Sequence, residues 1–249
     1  MSKIRYVRHP YLISRAIAGS LEWRLSSSKR IDQYERHVTA LENGLQELFD
    51  VGPSYVADLT DRFSNNLEFQ RKMKEARDFL GKSNAGIEER ASLLLYLICR
   101  TLRPMKVVET GVASGFSSAS MLQALEDNGV GELYSVDLHY RDGVTIPLDK
   151  ELGWAIPEHL KRRWHLLLGE RVKVIPQVLK EAGPVDLFLH DSRHTYKTMM
   201  KEYRIIWPRL VEGGLLLSHD VQLNDAFLDF CDRVGRVPVV TCNIGAIVK

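Results

Sequence analysis

Between residues 31 and 79 apolar side chains recur three and four positions apart, as at Leu41, Leu45, Leu48 and Phe49, within a background of Glu, Arg, Lys and Gln. That interval matches a helix with one buried stripe. Gly52-Pro53 and Ser64-Asn65-Asn66 interrupt it, so the spacing predicts a set of N-terminal helices separated by turns. The small, polar stretch 81–86 (GKSNAG) predicts a boundary that divides the chain into a helical segment, 1–80, and a second unit, 81–249. A long helix is expected over about 87–102, stopped by Pro104.

From Lys106 onward short apolar runs alternate with helical spacing. Strands are expected at 106–110, 132–137, 165–168, 185–190 and 215–218. Helices are expected after the first strand to Asn128, around 156–163, around 176–182, to Trp207 and to Val234. Parallel strands need crossover connections, and the helices in those crossovers cover both faces of the sheet, so the alternation predicts an α/β fold with a parallel sheet. The last two runs, 237–240 and 245–248, read as a terminal hairpin that adds one antiparallel strand. The run 171–175 (RVKVI) alternates like a strand, and Pro176 fits a first helical turn.

At 249 residues the chain is long enough for a substantial core, and 34 basic against 32 acidic residues favour neither nucleic acid nor a membrane surface as partner. The run Lys161-Arg162-Arg163 reads as a solvated helix face. Three widely spaced cysteines, Cys99, Cys231 and Cys242, indicate neither a disulfide framework nor a zinc site, which fits a reducing cytoplasm. No apolar run reaches the roughly 18 residues that span a bilayer, and the first residues lack the apolar centre of a secretion signal.

Chemistry concentrates at the ends of the expected strands. The run 106–118, KVVETGVASGFSS, takes a strand into a turn with Gly111 and Gly115 and then into a helix start at Phe116 to Ser118. Glycine there lets the chain turn through positive φ and pass a bound ligand without a Cβ in the way. The helix start directs unpaired amides at whatever lies over the loop. A dinucleotide fingerprint would read G-x-G-x-x-G. Here the second glycine comes four residues after the first, and Glu109 stands two residues before it, where a carboxylate repels pyrophosphate and suits a cationic or amino-bearing ligand. Asp137 closes the second strand, placed to accept hydrogen bonds from ribose hydroxyls or to cap a turn.

The run 185–196, VDLFLHDSRHTY, ends a strand at Asp191 with His194 three residues on. An imidazole beside a carboxylate is suited to deprotonate a hydroxyl. The fifth strand ends in His219 and Asp220, which the sheet brings to the same edge as Asp191. Three such groups form a candidate site for a divalent ion: Asp191, His219 and Asp220.

The run 106–118 resembles motif I of the class I S-adenosylmethionine-dependent methyltransferases, and the Asp191 and Asp220 positions resemble metal-dependent O-methyltransferases of the macrocin and cephalosporin-tailoring type. The resemblance covers about 87–249. It implies a Rossmann-like, doubly wound, mostly parallel seven-stranded sheet with a reversed last strand, and it places 171–175 at the start of a helix. It implies S-adenosylmethionine as cofactor, held by Glu109, Gly111, Val112, Gly115, Ser117 and Asp137, with Asp137 on the ribose. Gly169-Glu170 stands near the adenine, where the family commonly has Gly-Asp. The D-x-x-H-x-Y pattern is kept as Asp191, His194 and Tyr196, with His194 as general base for O-methylation of a small hydroxylated molecule such as a natural-product sugar or a phenol. His219 replaces an acid of the family's magnesium set, and imidazole suits a transition metal better than Mg²⁺. The N-terminal helices, outside the resemblance, are expected to cap the site, shape a substrate pocket or pair two subunits. Two rivals are an NAD-dependent oxidoreductase, opposed by the missing third glycine and by Glu109, and a non-catalytic cofactor-binding relative, opposed by retention of Asp191, His194 and Asp220.

Overall fold

The computed structural model describes residues 36–81, 86–138 and 146–249. The first residues, the interior of the expected boundary and the start of the polar stretch after the second strand lie outside the described residues.

The expected N-terminal helices are α1 (Leu41–Phe49), α2 (Pro53–Asn65) and α3 (Leu67–Leu80), followed by α4 (Glu89–Leu102). Both predicted breaks act as helix starts. Pro53 opens α2, where its missing N–H costs nothing, and the Asn66 side chain caps α3 by accepting from Phe69 N at 3.2 Å. Helix α4 begins at Glu89 instead of Ile87 because Glu88 is extended (ψ 161°), which sends Ile87 into the core before the first turn.

After these come β1 (Lys106–Thr110), α5 (Phe116–Asn128), β2 (Glu132–Asp137), β3 (Trp164–Leu168), α6 (Arg171–Ala182), β4 (Val185–His190), α7 (Tyr196–Ile206), β5 (Leu210–His219), α8 (Ala226–Val234), β6 (Val239–Thr241) and β7 (Ile244–Val248). They form a seven-stranded sheet in the order β3-β2-β1-β4-β5-β7-β6. Strands β1 to β5 pair in parallel, whereas β7 runs antiparallel to both β5 and β6. The fold class is the expected one, with the reversed strand inserted between β5 and β6.

Alternate residues of the central strands enter two separate cores. Val107, Leu187, Leu189, Leu215 and Leu217 pack with α1 to α5, and Val108, Phe188 and Leu216 pack with α6, α7 and α8. Each strand is apolar on both faces, which is why it reads as an unbroken hydrophobic run. The first core passes without a break from Leu41 in α1 to Leu217 in β5, so the N-terminal helices share the sheet's own interior. Residues 37–39 also run beside β6, with Thr39 N donating to Val240 O at 2.8 Å and Val240 N to His37 O at 3.0 Å.

Three expected boundaries are corrected. The helix expected around 156–163 is a 3-10 helix that begins two residues later, Glu158–Arg163. Six residues suffice for that tighter coil, and its last turn is tied to α5 by ion pairs of Arg162 and Arg163 with Glu126. Helix α6 starts at Arg171, as the resemblance implies, so Pro176 is its sixth residue and not in its first turn. Burial of Val174, Ile175, Val178, Leu179 and Ala182 follows helical spacing and outweighs the one lost N–H. Strand β5 begins at Leu210, five residues early, because Gly213 (φ 77°) makes a bulge across which pairing with β4 continues.

Candidate active site

Neighbours β1 and β4 lie where the strand order reverses, and in open α/β sheets ligands bind at the carboxyl ends of such strands. Gly111 N donates to Val136 O and Asp191 N to Thr110 O, both at 2.9 Å, so the glycine loop and the loop after β4 leave the sheet side by side. Gly111 (φ 90°) and Gly115 (φ 92°) carry the left-handed turns. A Cβ on Gly111 would lie 2.0 Å from the Asp191 carbonyl oxygen, and one on Gly115 would lie 2.8 Å from Ile156 Cγ1. The positive φ is as expected, and neighbouring protein also leaves no room for a Cβ at either position.

Glu109 is fully buried. Its carboxylate accepts from Ser117 Oγ at 2.5 Å, Ser118 Oγ at 2.6 Å and Ser135 Oγ at 2.8 Å, and Trp164 Nε1 donates to that Ser135 oxygen at 2.9 Å. The acid therefore ties the start of α5 to β2. Burial pushes its carboxyl up to about 7, against the pull of the three hydroxyls. Because the folded-state value is raised, the fold favours protonated Glu109. That stabilisation is complete below the ordinary carboxylate value of 4.5 and is lost as pH rises through about 7. At about 1.4 kcal/mol per unit, the loss amounts to ~3 kcal/mol by pH 8. Glu109→Gln should flatten the melting temperature between pH 5 and 8.5 and leave the variant more stable than wild type above pH 8. Parallel pH profiles for the two proteins would refute this account of Glu109.

Asp137 Oδ2 accepts from Val112 N at 2.7 Å and Ala113 N at 3.1 Å, while Oδ1 accepts from Leu138 N at 2.6 Å. Of roughly four lone-pair sites on a carboxylate, about one stays open. Gly169 (φ 147°) donates its N–H to Asp137 O at 2.9 Å, and Glu170, the extended residue just before α6, is exposed and paired with Lys173. In the segment between β2 and β3, Gly153 N donates to Ala113 O at 2.9 Å, Ala155 N to Ser114 O at 3.0 Å and Trp154 Nε1 to Ser114 Oγ at 3.1 Å.

At the ends of β4 and β5, Asp191 Oδ1 lies 3.0 Å from His219 Nδ1 and 3.7 Å from His194 Nε2. Asp220 Oδ2 stands 3.7 Å from His219 Nδ1 and 3.9 Å from His194 Nδ1. Among the described residues, Asp191, His194 and His219 form a compact set able to hold a metal, their ligand atoms within 4.8 Å of one another. His194 thus takes the place expected for Asp220. Burial, followed by the nearby His190, lowers the His194 pKa to about 4, although Asp191 and Asp220 pull it upward. Burial also acts to lower His219, but its bond to Asp191 and the charges of Asp191 and Asp220 raise it overall. The two imidazoles are set apart: His194 is neutral near pH 7, and His219 holds its proton longer. His194 Nε2 is buried and has no hydrogen-bond partner. Tyr196 turns away, donating to Asp229 Oδ2 at 2.8 Å.

Behind this rim lies a group that the sequence reading missed. Glu202 of α7 is fully buried and accepts from Thr110 Oγ1 at 2.6 Å, Arg171 Nε at 3.0 Å and Ser192 Oγ at 3.1 Å, and its Oε2 is 2.7 Å from His190 Nδ1. Burial pushes its pKa up, but His190, Thr110 and Arg171 together bring it below the ordinary value. The signal was a charged residue inside the stripe Met199, Met200, Tyr203 and Ile206, at helical spacing.

Residues 108–221 match the family model described as a methyltransferase domain. An O-methyltransferase from Bacillus cereus in complex with SAH superposes with a TM-score of 0.56 at 12% identity, over 85% of this chain and 98% of that one. The O-methyltransferase of tomaymycin synthesis from Streptomyces achromogenes, in complex with SAM, gives 0.52 at 14%, over 86% and 98%. A SAH-bound methyltransferase from Podospora anserina gives 0.54 at 12%, over 72% and 86%. These likenesses establish a shared fold. No curated protein matches in sequence.

Proposed function

We propose that the protein is an S-adenosylmethionine-dependent O-methyltransferase that acts on a hydroxyl of a small molecule, a natural-product sugar or a phenol. The matched methyltransferase domain and the fold support the cofactor class. The observation that carries the acceptor class is the neutral, unpartnered His194 Nε2 beside Asp191 at the strand edge that borders the glycine loop.

In this reading Glu109 and Asp137 keep the loop in shape, Gly111, Val112, Gly115 and Ser117 frame the cofactor, and Gly169-Glu170 border the adenine. Bound S-adenosylmethionine supplies an electrophilic methyl group. The cavity over the loop, between Gly86, Ile87, residues 111–117 and Asp191, is about 30 Å³. His194 Nε2 accepts the acceptor's hydroxyl proton, and the Asp191 carboxylate stabilises the resulting imidazolium.

The donor set supports a second reading of the same atom. Two imidazoles and a carboxylate suit a transition metal better than Mg²⁺, and the free His194 Nε2 is the lone pair such an ion would use. A metal held there would acidify the substrate hydroxyl, and a ligated His194 would no longer be the base. The N-terminal helices serve as cap or subunit contact, and the three widely spaced cysteines fit work in a reducing cytoplasm. Among the described residues no helix is long and apolar enough to cross a membrane.

The test is transfer of labelled methyl from S-adenosylmethionine to a panel of phenols and sugars, with and without EDTA. Transfer that survives EDTA assigns the proton to His194; transfer abolished by EDTA and restored by Mn²⁺ or Zn²⁺ assigns it to the metal reading. No transfer to any hydroxyl, with or without added metal, would overturn the proposal.

A further inference from the structure

A second cavity, of about 560 Å³, opens among α2, α3, the first turns of α4 and α5, and shares no lining residue with the small cavity over the glycine loop. Its size is that of sites for small organic ligands. Phe63, Phe69 and Met73 make an apolar floor, each buried, and Ser92 and Ser120 add hydroxyls.

The charges around it do not balance. Lys74 is neutralised by Asp78 at 2.6 Å. Arg77, whose side chain is 15% exposed, lies 3.9 Å from Glu89, outside hydrogen-bond reach. Arg90, exposed on the rim, has no ion-pair partner among the described residues. Arg77 Nη2 donates to Ile87 O at 2.9 Å and to Ser92 Oγ at 3.3 Å, which leaves other guanidinium donors for a ligand. A guanidinium held out of water without a full counter-charge is destabilising, and a bound anion offsets that cost.

We infer that this cavity is a binding site for a small aromatic carboxylate, its ring against Phe63, Phe69 and Met73 and its carboxylate on Arg77 and Arg90. Arg77 also connects it to the glycine loop, since its guanidinium lies 4.4 Å over the ring of Phe116, the first residue of α5. The site is additional to the transfer reaction and does not depend on it.

The experiment is calorimetric titration of the full chain with 2-naphthoate, with 2-naphthamide as the uncharged control, in the presence and absence of saturating S-adenosylhomocysteine. The expected result is one saturable site with a Kd on the order of 0.1–1 mM, at least tenfold weaker for the amide and unaffected by S-adenosylhomocysteine. Replacing Arg77 would loosen Ile87 and Phe116, so the charge test is Arg90→Glu, expected to weaken naphthoate about tenfold with an unchanged melting temperature. Met73→Trp fills the floor and should abolish binding. The inference is overturned by an absence of saturable naphthoate heat, by equal affinity in wild type and Arg90→Glu, or by displacement of naphthoate with S-adenosylhomocysteine. Failure of the cofactor reading is a separate result, visible as no heat from S-adenosylhomocysteine itself.

Discussion

Gly111→Ala should lower the melting temperature by about 10 °C, the shift that roughly 2–5 kcal/mol produces in a chain of this size. Two costs add. The native φ of 90° lies where a residue with a Cβ is strained by about 1–2 kcal/mol. The new methyl would then stand 2.0 Å from the Asp191 carbonyl oxygen and 2.6 Å from its carbon, both backbone atoms that move only if the whole loop after β4 moves. Overpacking of that kind typically costs about 1–3 kcal/mol more. Gly129→Ala is the control, with a φ of 71° but nothing within 4 Å of the added carbon, so it should lose only about 1–2 kcal/mol. Thermal melts of the two variants separate backbone strain from collision; equal losses would show that contact with Asp191 contributes nothing. Because the same collision displaces Asp191, any Gly111→Ala protein that folds should also be impaired in methyl transfer.

His194→Ala should reduce turnover by about 10²–10⁴-fold, the usual contribution of a positioned general base. Affinity for S-adenosylhomocysteine should stay within about threefold, because the hydrogen bonds that shape the glycine loop come from Asp137, Glu109, Ser114 and Trp154. The pH dependence has a definite sign. His194 has a folded-state pKa of about 4, below the ordinary 6.5, so its neutral form persists well into acid. Its contribution to stability is complete above pH 6.5 and is lost as pH falls through that value toward 4. Wild-type stability should therefore drop more steeply than that of His194→Ala between pH 6.5 and 4. Turnover unchanged in the alanine variant would remove His194 from the chemistry; a parallel collapse of S-adenosylhomocysteine binding would make its role structural.

Strands β1, β2 and β4 begin and end where the sequence reading puts them, because each is a short apolar run closed by a polar strand-end residue: Thr110, Asp137 or His190. Runs of this kind carry their boundaries locally. The start of α6 does not: residues 171–175 alternate like a strand, and only the buried pattern from Val174 to Ala182 decides for helix. The extension of β5 past Gly213 was equally hidden, since a bulge depends on the neighbouring strand. Around the glycine loop, the sequence puts Asp191 at the end of β4 with His194 three residues on, and the fold brings their side chains within 3.7 Å. Glu202 was not legible, because its partners come from three other segments, Thr110 of β1, Arg171 of α6, and His190 with Ser192 at the end of β4, and only the folded chain assembles them. Glu109 was found, but its serine cage was not, since Ser135 reaches it from the next strand.

The central claim is that the loop from Gly111 to Gly115, framed by Asp137 and Glu109, receives the adenosyl cofactor. Isothermal titration of the purified chain with S-adenosylhomocysteine addresses it most directly. The account predicts one site per chain, at micromolar to tens-of-micromolar affinity, lost in Asp137→Ala and kept in His194→Ala. Absence of heat at millimolar ligand, or equal binding by Asp137→Ala and wild type, would contradict it.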